Sequence, residues 1–341
     1  MKTPTYSIVV PVHDEEETLP ELVQRIVTVI GRLDGPAEVV MVDDGSRDGS
    51  YDLMLETHRE DPRFKVLQLS RNFGHQLAIT AGLDYARGDA VIVMDADLQD
   101  PPEVILDMTA KWREGYEVVY AVREEREGDS LLKRTTATLF YALLRKVSDL
   151  DHPPDVGDFR LVDRRALEAF RSMRERNRYV RGMFSWIGFK QTGVPFRREK
   201  RYAGTSKYPF RKMLKFAVDA IVGFSNAPLR FALEAGFLLA GLSVCYGIAA
   251  VALKLSGFHI VPGYASLLVT VAFLGGVQLI VIGMVGEYVA RIYDEVRARP
   301  LYVLRDARGF TAPPESPPRD GIDLALDEEL RSSEPFRVPP A

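Results

Sequence analysis

The sequence predicts an α/β fold in which a mostly parallel sheet carries helices on both faces. Between residues 7 and 121, short apolar runs typical of strands alternate with stretches typical of helices, and the loops between them are short. This alternation is typical of parallel sheets that are buried on both faces. Two later stretches, residues 235–253 and 262–286, contain no charged residue. The chain of 341 residues therefore divides into one α/β domain and an apolar appendage.

The predicted elements alternate along the whole α/β domain. Residues 7–12 form the first strand, and residues 15–33 form a helix with its apolar side chains on one side. The remaining elements are, in order, strand 37–42, helix 50–58, strand 64–69, helix 76–87, strand 90–94, helix 102–113 and strand 117–121. In such sheets ligands bind beyond the carboxyl ends of the strands, so a site is expected in the loops that follow them.

The two uncharged stretches are each long enough to cross a membrane as a helix, which takes about 20 residues. Because the connection between them is short, we predict a transmembrane hairpin at about residues 231–254 and 263–286. Lysine and arginine outside the hairpin outnumber the lone Lys254 in its turn, which predicts that both termini are cytoplasmic. Residues 133–144 and 208–224 are predicted as basic amphipathic helices, and we interpret the second as lying in the membrane interface.

These patterns predict four parts of the chain. Residues 1–204 are the cytoplasmic α/β domain, 205–228 the interfacial helix region, 229–290 the hairpin, and 291–341 a cytoplasmic segment ending in a disordered tail. The net charge of −4 argues against a nucleic-acid-binding protein, which would usually have a basic excess. The single cysteine, Cys245, excludes an internal disulfide. Residues 1–6 lack the apolar region of a secretory signal.

Acidic side chains follow three of the predicted strands. Asp14 and Glu15 follow the first, Asp43-Asp44 the second and Asp95-Ala96-Asp97 the fourth. The last group is the sharpest signal, because two carboxylates just past a buried strand can both bind one divalent ion that bridges a diphosphate. A D-x-D triplet alone is common in solvated turns. Here it ends an apolar run and precedes Gln-Asp-Pro-Pro, which favours the metal site.

Six motifs of the sequence point to one family: VVPVHDEEETLPEL, VDDGSRDGS, RNFGHQLAITAGLDYARGD, VMDADLQDPPE, VGDFRLVDR and YAGTSKY. They resemble glycosyltransferase family 2, and more narrowly the bacterial polyprenyl-phosphate glycosyltransferases related to dolichol-phosphate mannose synthase, of the undecaprenyl-phosphate glucosyltransferase type. The resemblance covers about residues 7–304 and includes the hairpin. It implies a GT-A nucleotide-sugar-binding fold, an inverting transfer and a homo-oligomer such as a tetramer.

The resemblance also implies roles for individual residues. In the nucleotide pocket it places Pro11, His13, Glu15, Val42 and Asp44, the last two near the base and ribose; relatives commonly have tyrosine where this chain has His13. At the metal it places Asp95 and Asp97, with Gln99 as an additional ligand and Asp97 also catalytic; Ala96, between the two aspartates, is placed among the donor-binding residues. Asp158 resembles the position proposed as catalytic base. Since a phosphate monoester has its second pKa near ~6, the acceptor is already largely an oxyanion, so Asp158 could instead position substrate or cap a turn.

Basic residues are expected to receive the lipid phosphate, because arginine and lysine suit phosphate oxygens. The candidates are Arg123, Lys133, Arg134, Arg201, Ser206 and Lys207. Gly204 would let the backbone of its loop bend closely over the donor. Arg71 and Asn72, after the third strand, are further candidates for donor contact.

The resemblance therefore implies transfer of one sugar from a nucleotide-sugar to undecaprenyl phosphate, with Mg²⁺ or Mn²⁺ and at the cytoplasmic membrane. It favours UDP-glucose as the donor, with GDP-mannose or a UDP-linked amino sugar as the alternative. A processive polysaccharide synthase would carry a Gln-x-x-Arg-Trp segment and more membrane helices, and neither is found. A non-catalytic membrane scaffold would tolerate loss of the acidic residues that follow the strands, whereas this chain retains them. An oxidoreductase is disfavoured because no G-x-G-x-x-G follows the first strand.

Overall fold

The computed structural model describes residues 4–123, 156–197, 227–256 and 264–310. The strands are β1 Tyr6–Val12, β2 Ala37–Asp43, β3 Phe64–Leu69, β4 Ala90–Val93, β5 Val118–Arg123, β6 Val156–Asp163, β7 Gln191–Phe196 and β8 Leu304–Arg308. The helices are α1 Leu19–Ile30, α2 Ser50–Glu60, α3 His75–Tyr85, α4 Val104–Arg113, α5 Arg164–Ser172, α6 Val180–Trp186, α7 Ala227–Leu255 and α8 Tyr264–Val296.

The eight strands form one sheet in the order β7-β5-β6-β4-β1-β2-β3-β8. Its centre, β4-β1-β2-β3, is parallel throughout. On one flank β6 runs antiparallel to both β4 and β5, and β7 is parallel to β5. On the other flank β8 runs antiparallel to β3. The prediction of a mostly parallel sheet is therefore confirmed, with antiparallel pairings confined to the flanks.

Every strand and helix predicted between residues 7 and 121 is present, with shifts at the ends. The first helix begins at Leu19 rather than at residue 15, because the preceding residues form a turn: the N–H of Thr18 donates to the carbonyl of Glu15, and its hydroxyl donates to the Glu15 carboxylate. The prediction did not include β6, β7 or β8, nor the helices α5 and α6.

The core of the sheet explains why its central strands are uninterrupted apolar runs. All seven residues of β1 and all seven of β2 are buried, as expected for strands with helices on both faces. α3 approaches this surface closely at Gly82, where a Cβ atom would collide with the side chain of Val9 and press on that of Val42. This glycine lets α3 pack tightly on the sheet, and α3 carries residues of the candidate site at its other end.

The described chain falls into two compact units. The first contains the sheet and its helices, including residues 300–310, and the second contains α7 and α8. Residues 231–254 of the first predicted span lie in α7 and residues 264–286 of the second lie in α8, and the two helices contact each other. Among the described residues, one helical stretch, Val269–Val296, is long and apolar enough to cross a membrane, and a shorter apolar stretch lies at Ala232–Tyr246. The predicted two-helix transmembrane hairpin remains a prediction, as do the predicted amphipathic helices at 133–144 and 208–224, which lie outside the described residues.

The segment after α8 returns to the sheet, which the sequence analysis did not predict. It assigned residues 291–341 to a separate terminal segment, whereas residues 304–308 form the edge strand β8. The Tyr302 hydroxyl donates to the buried carboxylate of Asp84 on α3 at 2.9 Å, and the Tyr51 hydroxyl on α2 donates to Asp306 on β8 at 2.9 Å. Short strands with charged residues carry too little apolar patterning to be recognised in the sequence. The predicted tail beyond residue 310 lies outside the described residues.

We predict that Tyr302→Phe destabilises the sheet unit by about 1–2 kcal/mol, because buried Asp84 loses a hydrogen bond. In a domain of this size the thermal midpoint should fall by about 2–8 °C, measured by near-UV circular dichroism of the full chain in detergent. Tyr116→Phe is the matched control, since the ring of Tyr116 packs under the Lys190 ammonium and should keep that contact. Equal midpoints for the two variants would contradict the proposed role of Tyr302.

Candidate active site

The carboxyl ends of β1, β2 and β4 lie side by side at one edge of the sheet. We call this the acidic edge, formed by residues 13–16, 43–46 and 95–97. Val12 pairs with Asp43, and the N–H of Asp44 donates to the Val12 carbonyl at 2.9 Å. The N–H of Met94 donates to the Val9 carbonyl at 3.0 Å, which places Asp95 beside the end of β1. The predicted convergence of the three acidic groups is therefore confirmed.

Asp44 holds the loop that follows β3. Its two carboxylate oxygens accept the backbone N–H groups of Phe73 at 2.7 Å and Gly74 at 2.9 Å. Burial raises the pKa of Asp44, and the two hydrogen bonds oppose this rise. The next residue, Gly45, has a φ of 70°, and a Cβ there would strike the backbone at Asn72. Asp44 and Gly45 therefore seat the 71–74 loop against the end of β2.

The loop after β1 is tied to the loop after β2 by carboxylates that accept backbone N–H groups. Asp14 accepts from Arg47 at 2.7 Å, and Glu16 accepts from Gly49 at 2.9 Å. Asp14 has a φ of 54°, an uncommon conformation for a residue with a side chain. His13 is exposed at this loop, and its ring nitrogens lie 3.1 and 3.3 Å from the side-chain nitrogen of Asn72. The predicted nucleotide-pocket residue His13 and the loop residue Asn72 are thus neighbours.

Asp95 and Asp97 occupy the centre of the acidic edge. The Oδ1 atom of Asp95 is buried and makes no hydrogen bond within the described structure, although His75 Nε2 lies 3.3 Å away. Burial raises the pKa of Asp95, the charge of His75 lowers it, and the negative charges of Asp158 and Asp97 raise it further. Between Asp97 and Gln99, buried Leu98 has a φ of 57°. Gln99 donates its N–H to Asp97 Oδ1 at 3.1 Å.

These residues fit a divalent cation. A buried carboxylate oxygen without a hydrogen bond, beside a second carboxylate, is suited to a hard cation that prefers oxygen ligands. Within the described ranges, no three His, Cys, Asp or Glu side chains are grouped as a complete metal site. A cation held by Asp95 and Asp97 would leave positions for substrate phosphates and water, which commonly complete the coordination of Mg²⁺.

Asp158, the predicted base, lies on β6 with its side chain only 2% exposed. Arg181 of α6 binds both of its oxygens, at 2.8 and 2.9 Å. His75 Nε2 lies 3.3 Å from Oδ2, and Gln76 Nε2 donates to the same oxygen at 3.4 Å. Burial alone would raise the pKa of Asp158, but the hydrogen bonds from Arg181 and His75 hold it well below its usual value. A carboxylate paired in this way is a weak proton acceptor, and the geometry favours the alternative of a positioning role.

His75, Gln76 and Arg181 belong to the site but were not predicted from the sequence. His75 begins α3 and bridges Asp95 and Asp158. Burial lowers the pKa of His75, but the hydrogen bond to Asp158 and the charge of Asp95 outweigh this effect and raise the pKa to about 9. Gln76 Oε1 accepts the N–H of Val180 at 2.9 Å and so fixes the start of α6. The available signal was that His75 and Gln76 lie directly after the 71–74 loop, inside one of the family-like motifs.

Other predicted residues are placed less favourably or lie outside the described part. Pro11 and Val42 are paired inside β1 and β2 and are buried, with Val42 packed under Gly82, and their placement in the nucleotide pocket stays a prediction. Arg123 is the last residue of β5 rather than following it, and its guanidinium lies against Gly157. The following predicted residues lie outside the described residues: Lys133, Arg134, Arg201, Gly204, Ser206 and Lys207.

An α/β sheet with carboxylates gathered beyond its central parallel strands is the arrangement of a GT-A-type glycosyltransferase domain. The family model described as Glycosyl transferase family 2 matches residues 7–171, and the GtrB C-terminal hairpin model matches residues 227–292. The uncharacterized glycosyltransferase YkcC of Bacillus subtilis is 48% identical over 305 residues, covering 89% of this chain and 94% of YkcC. The chain belongs to glycosyl transferase family 2 and carries the GtrB-type C-terminal hairpin.

Two further comparisons complete these findings. The SfII prophage-derived bactoprenol glucosyl transferase of Shigella flexneri is 42% identical over 299 residues, covering 88% of this chain and 97% of that protein. Among solved structures, mannosyl-3-phosphoglycerate synthase from Rubrobacter xylanophilus has a TM-score of 0.46 at 18% identity, covering 68% of this chain and 75% of that one.

We predict that Asp44→Ala loosens the 71–74 loop, because two backbone N–H groups lose a charged acceptor. Loss of one such bond is worth roughly 1.5–3 kcal/mol, so hydrogen exchange at Phe73 and Gly74 should accelerate about 10- to 100-fold. Mass spectrometry of peptides covering residues 70–76 measures this change. Asp61→Ala is the control, since Asp61 binds Arg63 before β3 and should leave these peptides unchanged. Unchanged exchange in Asp44→Ala would show that the loop is held by other contacts.

Proposed function

We propose that this chain transfers a single sugar from a nucleotide-sugar to a polyprenyl phosphate, with inversion at the anomeric carbon. The name of the Shigella relative supports glucose and a polyprenyl lipid, so UDP-glucose and undecaprenyl phosphate are the proposed substrates. The observation that carries the proposal is the acidic edge, where the buried Oδ1 atom of Asp95 makes no hydrogen bond, although His75 Nε2 lies 3.3 Å away, and where Asp97 lies two residues further.

On the donor side, the proposed roles combine the family resemblance with the geometry of the acidic edge. Asp95 and Asp97, with Gln99 as an additional ligand, would hold Mg²⁺ or Mn²⁺, which when bound neutralises charge on a departing nucleoside diphosphate. His13 and Glu15 would contact the nucleotide, and Pro11, Val42 and Ala96 would contribute through their backbone. Asp44 would shape the pocket by holding the 71–74 loop, since both of its oxygens already bind that loop.

On the acceptor side, no strong base is required. The lipid phosphate has its second pKa near ~6 and carries an attacking oxyanion at neutral pH. That oxygen forms a new bond to the anomeric carbon from the face opposite the leaving group, while the bond to the nucleoside diphosphate breaks and its electrons leave with the diphosphate. Positioning and charge stabilisation are then the main tasks of the protein. Cationic and hydroxyl groups proposed for the acceptor phosphate are Arg123, Lys133, Arg201, Ser206 and Lys207.

The proposed setting is the cytoplasmic face of the inner membrane. The match to a C-terminal hairpin model and the exposed apolar side chains of α7 and α8 support a transmembrane hairpin. On these two helices Phe237 is 72% exposed and Leu279 71% exposed, as expected for side chains that face lipid. The excess of basic residues outside the hairpin supports cytoplasmic termini. A homo-oligomer is proposed from the family resemblance.

The function is tested by incubating the purified chain with undecaprenyl phosphate, Mg²⁺ or Mn²⁺, and each of several labelled nucleotide-sugars. We expect one lipid-linked monosaccharide, formed fastest from UDP-glucose, with equimolar UDP. Faster transfer from GDP-mannose or a UDP-amino sugar would replace the donor and leave the acceptor assignment intact. A polymeric product would indicate a synthase, and no product with any donor would refute the proposal.

We predict that Asp95→Ala and Asp97→Ala each reduce turnover at least about 100-fold, because the departing diphosphate loses its charge partner. Chelation with EDTA should have the same effect on the unaltered chain, and added Mg²⁺ or Mn²⁺ should restore activity. Asp107→Ala removes an exposed carboxylate on nearby α4 and serves as the control. Near-normal turnover in both site variants, or full activity in excess chelator, would defeat the metal assignment.

A further inference from the structure

Asp158 and Arg181 form a charged pair whose two members differ sharply in exposure. The carboxylate of Asp158 is 2% exposed, whereas the side chain of Arg181 is 29% exposed. Arg181 uses Nε and one N–H of Nη2 to bind Asp158. A guanidinium has five N–H donors, so three N–H groups of Arg181 are not engaged by Asp158. The buried carboxylate thus fixes the orientation of an arginine that still has donors to offer.

The position of Arg181 places its guanidinium, bound to Asp158, near the ligand edge of the sheet. Arg181 is in the first turn of α6, whose leading N–H, that of Val180, is bound by Gln76 at 2.9 Å. Gln76 is itself in the first turn of α3, directly after the loop that Asp44 holds. The starts of α3 and α6 are therefore joined at the edge where the carboxylates gather.

The charges at this edge alternate along a line of contacts. Asp95 lies 3.3 Å from His75, His75 lies 3.3 Å from Asp158, and Asp158 binds Arg181. One end of the line is a carboxylate that would bind phosphate only through a cation, and the other end is a guanidinium that binds phosphate directly and in a bidentate manner. In the proposed displacement the acceptor phosphate and the departing diphosphate lie on opposite sides of one carbon, and the two ends of this line provide two separate phosphate-attracting positions.

We propose that Arg181 binds a substrate phosphate and that Asp158 acts as its positioning residue rather than as an independent base. This rests on the proposed function and adds to it a phosphate contact. The phosphate belongs either to the lipid acceptor or to the nucleoside diphosphate. The lipid phosphate is favoured, because the diphosphate is assigned to the Asp95 end of the line.

The test compares Michaelis constants for both substrates in Arg181→Met and Arg181→Lys. We expect Arg181→Met to raise KM for undecaprenyl phosphate about 10- to 100-fold, as expected for loss of a charge-assisted contact, with KM for the nucleotide-sugar changed less than about threefold. Arg181→Lys keeps the charge but not the fork, so it should recover part of the loss. A selective rise in KM for the nucleotide-sugar would also support a phosphate contact and assign it to the donor. Unchanged KM for both substrates would overturn the proposal.

Arg174→Met is the matched structural control. Arg174 also binds a buried carboxylate with two contacts, that of Asp84, at the opposite end of α3. It should lower thermal stability without changing either KM. If Arg174→Met and Arg181→Met change KM alike, the effect of Arg181 is only structural and the proposal fails.

A double-variant cycle tests the role of Asp158. If Asp158 acts through Arg181, then Asp158→Asn added to Arg181→Met costs less than about a further threefold in kcat/KM, because the orienting partner has nothing left to orient. A further loss of about 100-fold or more would be the signature of an independent general base and would overturn the positioning role. The double variant removes both charges together, which avoids leaving one buried charge unpaired.

Binding separates failure of this inference from failure of the proposed function. If the unaltered chain transfers no sugar, equilibrium binding of a short-chain polyprenyl phosphate and of UDP is measured for the unaltered chain and for Arg181→Met. Weaker binding of either ligand to the variant supports the phosphate contact even though the activity assignment has failed. Equal binding of both ligands refutes the contact.

Discussion

The ion pair between Asp158 and Arg181 is the interaction on which the geometry of the site depends. A carboxylate with 2% exposure is stable only when its charge is compensated, because the effective penalty for burying an ion is several kcal/mol. Arg181, His75 and Gln76 supply that compensation, and they come from the first turns of two different helices. The need to satisfy one buried charge thus joins α3 and α6 to β6. Removing any one of these three partners would leave the negative charge of Asp158 less fully compensated.

The flank of the sheet that contains both parallel and antiparallel strands, β6-β5-β7, brings Asp158 and Arg181 to the acidic edge. β4 ends at the edge because it is parallel to β1, whereas β6 begins there because it runs antiparallel to β4. Asp95, just past the end of β4, and Asp158, near the start of β6, are therefore neighbours although they are 63 positions apart in the sequence. If β6 were parallel to β4, its first residues would lie at the opposite edge of the sheet. The reversal of direction at β6 thus unites the metal-binding candidates with the phosphate-binding candidate.

The sequence was informative where a pattern is local. The parallel centre and the acidic groups at its edge follow from short apolar runs ending in carboxylates, and all of them could be placed before the structure was known. The roles that depend on contacts between particular side chains could not be predicted from the sequence. Val42 has the same apolar character whether it faces a ligand or Gly82, and Arg181 was one arginine among many until β6 placed Asp158 against it. The strand β8 was missed because its residues, LRDAR, are mostly charged.

The low pKa of Asp158 is consistent with the chemistry proposed for the acceptor. Enzymes that activate a hydroxyl need a base whose pKa lies near the working pH, and a carboxylate held ionised by an arginine is far from that condition. A phosphate monoester already carries the attacking charge, so what it requires is a cation that brings it close to a site otherwise rich in carboxylates. Without such a cation, Asp95, Asp97 and Asp158 would repel the acceptor. The same pair that makes Asp158 a weak base therefore holds in place an arginine whose remaining N–H donors can bind the phosphate nucleophile.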